Sequence, residues 1–170
     1  MKPARPLEVE VKLRIASTGA LVPRLRAAGF VLRHDAAREA NQLWDRAGAL
    51  KAEDCALRLR QYGEQSLLTW KGARVADPQL KIRPELQTAV ADPQAMAAIL
   101  EALGYQPTLT MDKIRAIWDR GELEACLDDT PHGSFLELEG PREAIAQAMA
   151  ELGLEAGQIE PRSYATLYTQ

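Results

Sequence analysis

Nearly every alternating segment of this chain carries an ionic face. Leu7 to Ile15 sets Glu8, Glu10, Lys12 and Arg14 on one side and Val9, Val11, Leu13 and Ile15 on the other, because residues two apart on a strand point the same way. Arg58 and Arg60 alternate with Leu57 and Leu59, then come Lys71, and Lys81, Arg83, Glu85 and Gln87. Lys113 and Arg115 oppose Ile114 and Ala116. Glu122, Glu124 and Asp128 alternate with Leu123, Ala125 and Leu127, and Glu137 and Glu139 with Leu136 and Leu138. An ordinary half-buried sheet has one apolar face and one mixed, solvated face. Here bases dominate the middle segments and acids the first and last.

The strand-like segments are Leu7 to Ile15, Cys55 to Gln61, Ser66 to Lys71, Leu80 to Val90, Thr108 to Asp119, Glu122 to Asp128 and Ser134 to Gly140, with Asn41 to Asp45 weaker. Arg120-Gly121 between two of them reads as a hairpin turn. Helices are expected over Thr18 to Ala28, Pro93 to Leu103 and Arg142 to Leu152, and a short one from about Pro161 to Tyr168. The first three stop at Gly29, Gly104 and Gly153, where glycine accepts the left-handed cap. Pro23 is read as marking the true first turn of the first helix. Pro84 has no backbone donor, so its strand should carry a bulge or lie at an edge there.

These elements make an α+β chain with antiparallel strands. The helices need apolar surface, and the apolar strand faces supply it. An open sheet would leave the charged rows solvated. A closed barrel with helices outside turns them inward instead, and about eight strands leave room for a small ligand. Clustered bases need an anion and clustered carboxylates need a proton or a cation. A polyphosphate with a divalent metal meets both demands. Arginine and lysine bind phosphate oxygens, and carboxylate oxygens hold Mg²⁺ or Mn²⁺. Glu8/Glu10 and Glu137/Glu139 are spaced to converge on one metal region.

With 170 residues, the chain fits one domain, 1–170. A hydrophobic share of 46 % and a charged share of 26 % exclude a disordered or coiled-coil class. The net charge of -3 argues against nucleic acid as partner. No apolar run can span a bilayer and residues 1–7 lack a signal-peptide core; a cytoplasmic protein is expected, with Cys55 and Cys126 as reduced thiols. His34 and His132 read as surface or loop residues. Trp44, Trp70 and Trp118 read as barrel packing rather than base-stacking residues.

Glu8-Val9-Glu10-Val11-Lys12 resembles the ExExK signature of the CYTH superfamily, the triphosphate tunnel metalloenzymes. The resemblance continues along nearly the whole chain. Leu57-Arg58-Leu59-Arg60 is similar to the family's LRxR strand, Leu68-Thr69-Trp70-Lys71-Gly72 to L-T-x-K-G, and Arg83-Pro84-Glu85 to R-x-E. Lys113-Ile114-Arg115 is similar to K-x-R, and Leu127-Asp128 and Glu137-Leu138-Glu139 to the closing Asp and E-x-E strands.

The resemblance implies an eight-stranded antiparallel tunnel that binds a triphosphate-containing small molecule. It implies metal binding by Glu8, Glu10, Asp128, Glu137 and Glu139. It implies substrate binding by Lys12, Arg58, Arg60, Lys71, Arg83, Lys113 and Arg115. Lys12, Glu85 and Lys113 are the candidate catalytic residues that could take a proton. Gln87 stands where the family often has a second carboxylate, and Trp44 where some inorganic triphosphatases have a tyrosine.

The superfamily includes thiamine, inorganic and messenger-RNA-cap triphosphatases and class IV adenylyl cyclases. Gly133-Ser134-Phe135 and the terminal Ser163-Tyr164-Ala165-Thr166-Leu167 resemble the cyclase and thiamine-triphosphatase branch. Hydrolysis makes fewer demands than cyclisation, which needs a base pocket and a fixed ribose. The leading expectation is therefore a metal-dependent triphosphatase, with a class IV adenylyl cyclase as alternative and a non-catalytic polyphosphate- or nucleotide-binding module behind it. A homodimer is compatible with the chain; a membrane partner is not expected.

Overall fold

A computed structural model describes residues 6–169. Eight strands, β1 (Leu7–Ile15), β2 (Val31–Asp45), β3 (Ala56–Tyr62), β4 (Gln65–Lys71), β5 (Lys81–Ala89), β6 (Gln106–Arg120), β7 (Leu123–Thr130) and β8 (Gly133–Glu139), close into an antiparallel barrel in the order β1-β5-β4-β3-β2-β6-β7-β8. Five α-helices accompany them among the described residues: α1 (Thr18–Ala27), α2 (Ala49–Ala52), α3 (Pro93–Ala102), α4 (Arg142–Glu151) and α5 (Tyr164–Tyr168). None is long and apolar enough to cross a membrane. The described residues divide into two compact units, one of residues 6–7, 38–75 and 83–112, the other of 8–37, 76–82 and 113–169.

In the second unit β7 pairs with both β6 and β8, and β8 with β1. Val11, Leu13, Leu123, Ala125, Leu127, Leu136 and Leu138 share one strand face and pack with Leu21 and Leu25 of α1, Ile145 and Ala148 of α4, and Leu152 just past its end. Burying side chains of this size contributes about 1.5–3 kcal/mol each. The ionic residues occupy the opposite face, as alternation requires. Ser17 caps α1 through a hydrogen bond accepted from the Ala20 N–H at 3.3 Å. Pro23 lies inside α1 rather than in its first turn; the cap lets the helix begin five residues earlier.

In the first unit β3 pairs with β2 and β4, and β4 with β5. Trp44, Leu59 and Val90 pack with Leu100 of α3, so Trp44 is a core residue, as is Trp118 in the second unit. The β4–β5 ladder runs from Leu67↔Ala89 to Lys71↔Glu85 and stops beside Pro84, which has no N–H to continue it. Gly72 is required sterically: a Cβ there would sit 2.8 Å from the Trp70 ring. The glycines that end α1, α3 and α4, Gly29, Gly104 and Gly153, all have positive φ.

The structure departs from expectation most at β2. It runs fifteen residues, where only Asn41 to Asp45 was expected. Its first seven residues are largely exposed, so no buried apolar row announces them. His34 therefore lies on a strand and His132 in the exposed turn between β7 and β8. Neither cysteine is in a disulfide.

Candidate functional site

The second unit gathers eight of the expected residues on its ionic face: Glu8, Glu10, Lys12, Lys113, Arg115, Asp128, Glu137 and Glu139. Register sets Lys12 opposite Glu137, Glu10 opposite Glu139, Glu139 opposite Glu124 and Arg115 opposite Asp128. Asp128 is fully buried and accepts from Lys113 Nζ at 2.9 Å and from Arg115 Nε and Nη2 at 2.6 Å each. Arg115 Nη2 also donates to Glu137 at 2.5 Å. Lys81, which was not among the expected site residues, reaches Glu10 at 3.3 Å. Glu8 is buried on the same strand and Glu139 is exposed.

Lys12 is the least compensated member. It is 1 % exposed, and its ammonium has no hydrogen-bond partner among the described residues. Burial, and next the charge of Lys81, lower its pKa to about 8, while Glu137 and Glu10 pull the other way. Burial pushes the Glu137 carboxyl up, but Lys113, Arg115, Lys12 and Lys81 together outweigh it and hold it well below the usual carboxylate range. A buried ammonium lacking a partner and flanked by further bases is a site short of negative charge.

Tyr164 joins this cluster from α5. Its hydroxyl donates to Asp128 at 2.5 Å, and its ring lies 4.0 Å from Lys12 Nζ and 4.1 Å from Lys113 Nζ. The sequence motif around Tyr164 was visible, but nothing local linked it to Lys12 or Asp128.

The first unit carries the other bases on its own ionic face. Arg58, Arg60 and Lys71 point the same way as Thr69. Arg60 Nε lies 3.5 Å from Glu39, a fully buried carboxylate that also accepts from Asn41 Nδ2 at 3.0 Å. Sequence reasoning missed Glu39 because its strand was not expected to reach it. Lys71 and Glu85 form an ion pair at 2.8 Å. Arg83 donates to the carbonyls of Gly72 at 2.8 Å and Asp54 at 2.7 Å, which ties the ends of β4 and β5 to the turn before β3.

Glu10, Glu139 and Glu124 stand side by side across β1, β8 and β7. Lys81 already pairs with Glu10 and Arg33 with Glu124, which offsets part of the repulsion between carboxylates so opposed, and hard carboxylate oxygens suit Mg²⁺ or Mn²⁺. The donor chemistry therefore fits such an ion. Among the described residues, no three acidic, histidine or cysteine side chains already converge on one point.

Comparison with known proteins agrees with this geometry. The CYTH domain model matches residues 6–164. A protein of Methanocaldococcus jannaschii named "Putative adenylate cyclase" is 31 % identical over 95 % of this chain and 98 % of its own. The fold is similar to that of a Vibrio parahaemolyticus protein described as a "putative adenylate cyclase", with a TM-score of 0.84 and 22 % identity over 98 % of this chain and 100 % of the other. It is also similar to a Hippeastrum protein whose structure is described as revealing "a dominant triphophatase activity", with a TM-score of 0.72 and 22 % identity over 95 % of each chain. A family model that spans nearly the whole chain, with the signature residues on one ionic face of each unit, shows that this chain belongs to the CYTH domain family.

Proposed function

We propose that the protein is a divalent-metal-dependent enzyme that binds a triphosphate through these ionic strand faces and hydrolyses it. The observation that carries the reading is Lys12, a buried ammonium with no hydrogen-bond acceptor among the described residues, set with Lys81, Lys113 and Arg115. Phosphate oxygens are the acceptors such a group lacks. Lys113 and Arg115 would exchange part of their hold on Asp128 for phosphate. Arg58, Arg60, Lys71 and Arg83 of the other unit are the remaining bases that the family motifs assign to the triphosphate.

Glu8, Glu10, Glu137 and Glu139 would hold Mg²⁺ or Mn²⁺, with Asp128 as a fifth carboxylate. A bound ion would supply charge neutralisation and polarise the phosphoryl oxygens. Lys12, Lys113 and Glu85 would be the groups that hold or move a proton. The second reading is a class IV adenylyl cyclase, favoured by the name of the Methanocaldococcus jannaschii relative.

The test is incubation with Mg²⁺ or Mn²⁺ and inorganic tripolyphosphate, thiamine triphosphate or ATP, with products separated. Orthophosphate release is the expected result. Cyclic AMP and pyrophosphate from ATP would select the cyclase, binding without turnover a non-catalytic module, and absence of binding would overturn the proposal.

A further inference from the structure

The C-terminal segment returns to β1 before α5 begins. Leu13 and Ile159 form a bridge, the Glu160 N–H donates to the Lys12 carbonyl at 2.8 Å, and Arg14 donates to the Glu160 carboxylate at 3.1 Å. Ser163 then caps α5 by accepting from the Thr166 N–H at 3.1 Å. These contacts deliver Tyr164 to Lys12, Lys113 and Asp128. Phe135 meets its ring edge-on at 5.6 Å between centroids. Burial, then the charges of Glu137 and Asp128, push the Tyr164 hydroxyl well above its usual value, so it stays a donor.

We propose that Tyr164 is a positioning residue of the triphosphate site: its ring spaces the Lys12 and Lys113 ammoniums, and its hydroxyl holds Asp128. The inference rests on the triphosphate reading above. Two ammoniums about 4 Å from one ring repel each other, and the ring's negative face offsets part of that repulsion. Asp128 Oδ2 accepts from Lys113, Arg115 and Tyr164 together. Without the phenol, Asp128 draws harder on the two bases, which are then less available to phosphate. Loss of the hydroxyl weakens substrate binding, and loss of the ring weakens it further. Lys12, Lys113 and Asp128 also belong to the proposed reaction machinery, so the effect on binding is read from metal-free affinity, separately from turnover.

The test compares Tyr164→Phe, Tyr164→Leu and Leu167→Ala, the last a buried residue of the same helix. Inorganic tripolyphosphate affinity is measured by calorimetry in EDTA, and KM and kcat with Mg²⁺. Tyr164→Phe should weaken affinity about 3- to 10-fold and Tyr164→Leu about 30-fold, with KM raised in the same order. Leu167→Ala should lower the melting temperature and leave the affinity of the folded protein unchanged. An independent readout is the lysine ε-methylene proton spectrum. Lys12 and Lys113 should show upfield ring-current shifts in wild type and Tyr164→Phe but not in Tyr164→Leu. If wild type binds tripolyphosphate and both tyrosine variants bind equally well, this inference alone falls. It also falls if Leu167→Ala weakens binding as much as Tyr164→Leu. If wild type binds no tripolyphosphate, the triphosphate reading fails and takes the inference with it.

Discussion

Replacing Lys12 by methionine keeps an unbranched side chain, one heavy atom shorter, and removes its charge. Burial and Lys81 lower the ammonium's pKa from 10.5 to about 8. At 1.36 kcal/mol per unit, holding that charge costs the folded protein about 3 kcal/mol. The cation–π contact with Tyr164 returns about 1 kcal/mol, so Lys12→Met should stabilise the unliganded protein by about 2 kcal/mol. For a domain of this size that is about 4–8 °C in Tm. The sign follows from the lowered pKa: the cost is full below pH 8, shrinks as pH rises, and is gone above 10.5, where the unfolded chain is also neutral. Thermal melts at pH 7 and near pH 10.5 read it. The same variant should bind tripolyphosphate about 10- to 100-fold more weakly, through loss of a charge-assisted hydrogen bond. A Tm lowered by several degrees at pH 7, or unchanged affinity, would refute the reasoning.

Glu10→Gln and Glu139→Gln should abolish turnover while changing metal-free tripolyphosphate affinity little; full activity with Mg²⁺ in both would remove the metal assignment. Arg58→Ala should raise KM strongly, by about 1.5–3 kcal/mol of lost phosphate contact, read from steady-state kinetics. Hydrogen bonds from Arg162, against the opposing effect of burial, and then from Arg14 lower the Glu160 carboxyl to about 2. Its stabilisation is complete above the unfolded value of 4.5 and is lost as pH falls from there toward 2. Arg162 is partly exposed, so Glu160→Gln should cost only about 1 kcal/mol at pH 7, and acid titration of both proteins should show the gap closing by pH 2.

The barrel and much of the ionic face were legible because alternation is a local signal. Val9, Val11 and Leu13 announce a buried face, and that fixes where Glu8, Glu10 and Lys12 must point. β2 was half hidden because Val31 to Ala37 is mostly solvated on both faces and carries no such row. Glu39 went with it, although its partner Arg60 was identified. Lys81 was seen on its strand but not assigned, since its partner Glu10 lies 71 positions away in the chain. Tyr164 was the least legible. Its place depends on the Glu160 N–H meeting the Lys12 carbonyl, and no period or spacing encodes that return. Composition could not show that Asp128 would be held by three donors, because β6, which carries Lys113 and Arg115, and α5, which carries Tyr164, are far apart in the chain.

The most direct measurement is calorimetric titration of the metal-free protein with inorganic tripolyphosphate and with orthophosphate at two salt concentrations. The account expects one tripolyphosphate site, weakened by salt, at least about 100-fold tighter than orthophosphate because several bases act together, and lost in Lys113→Met. Equal affinity for the two anions, or tripolyphosphate binding untouched by Lys113→Met, would contradict it.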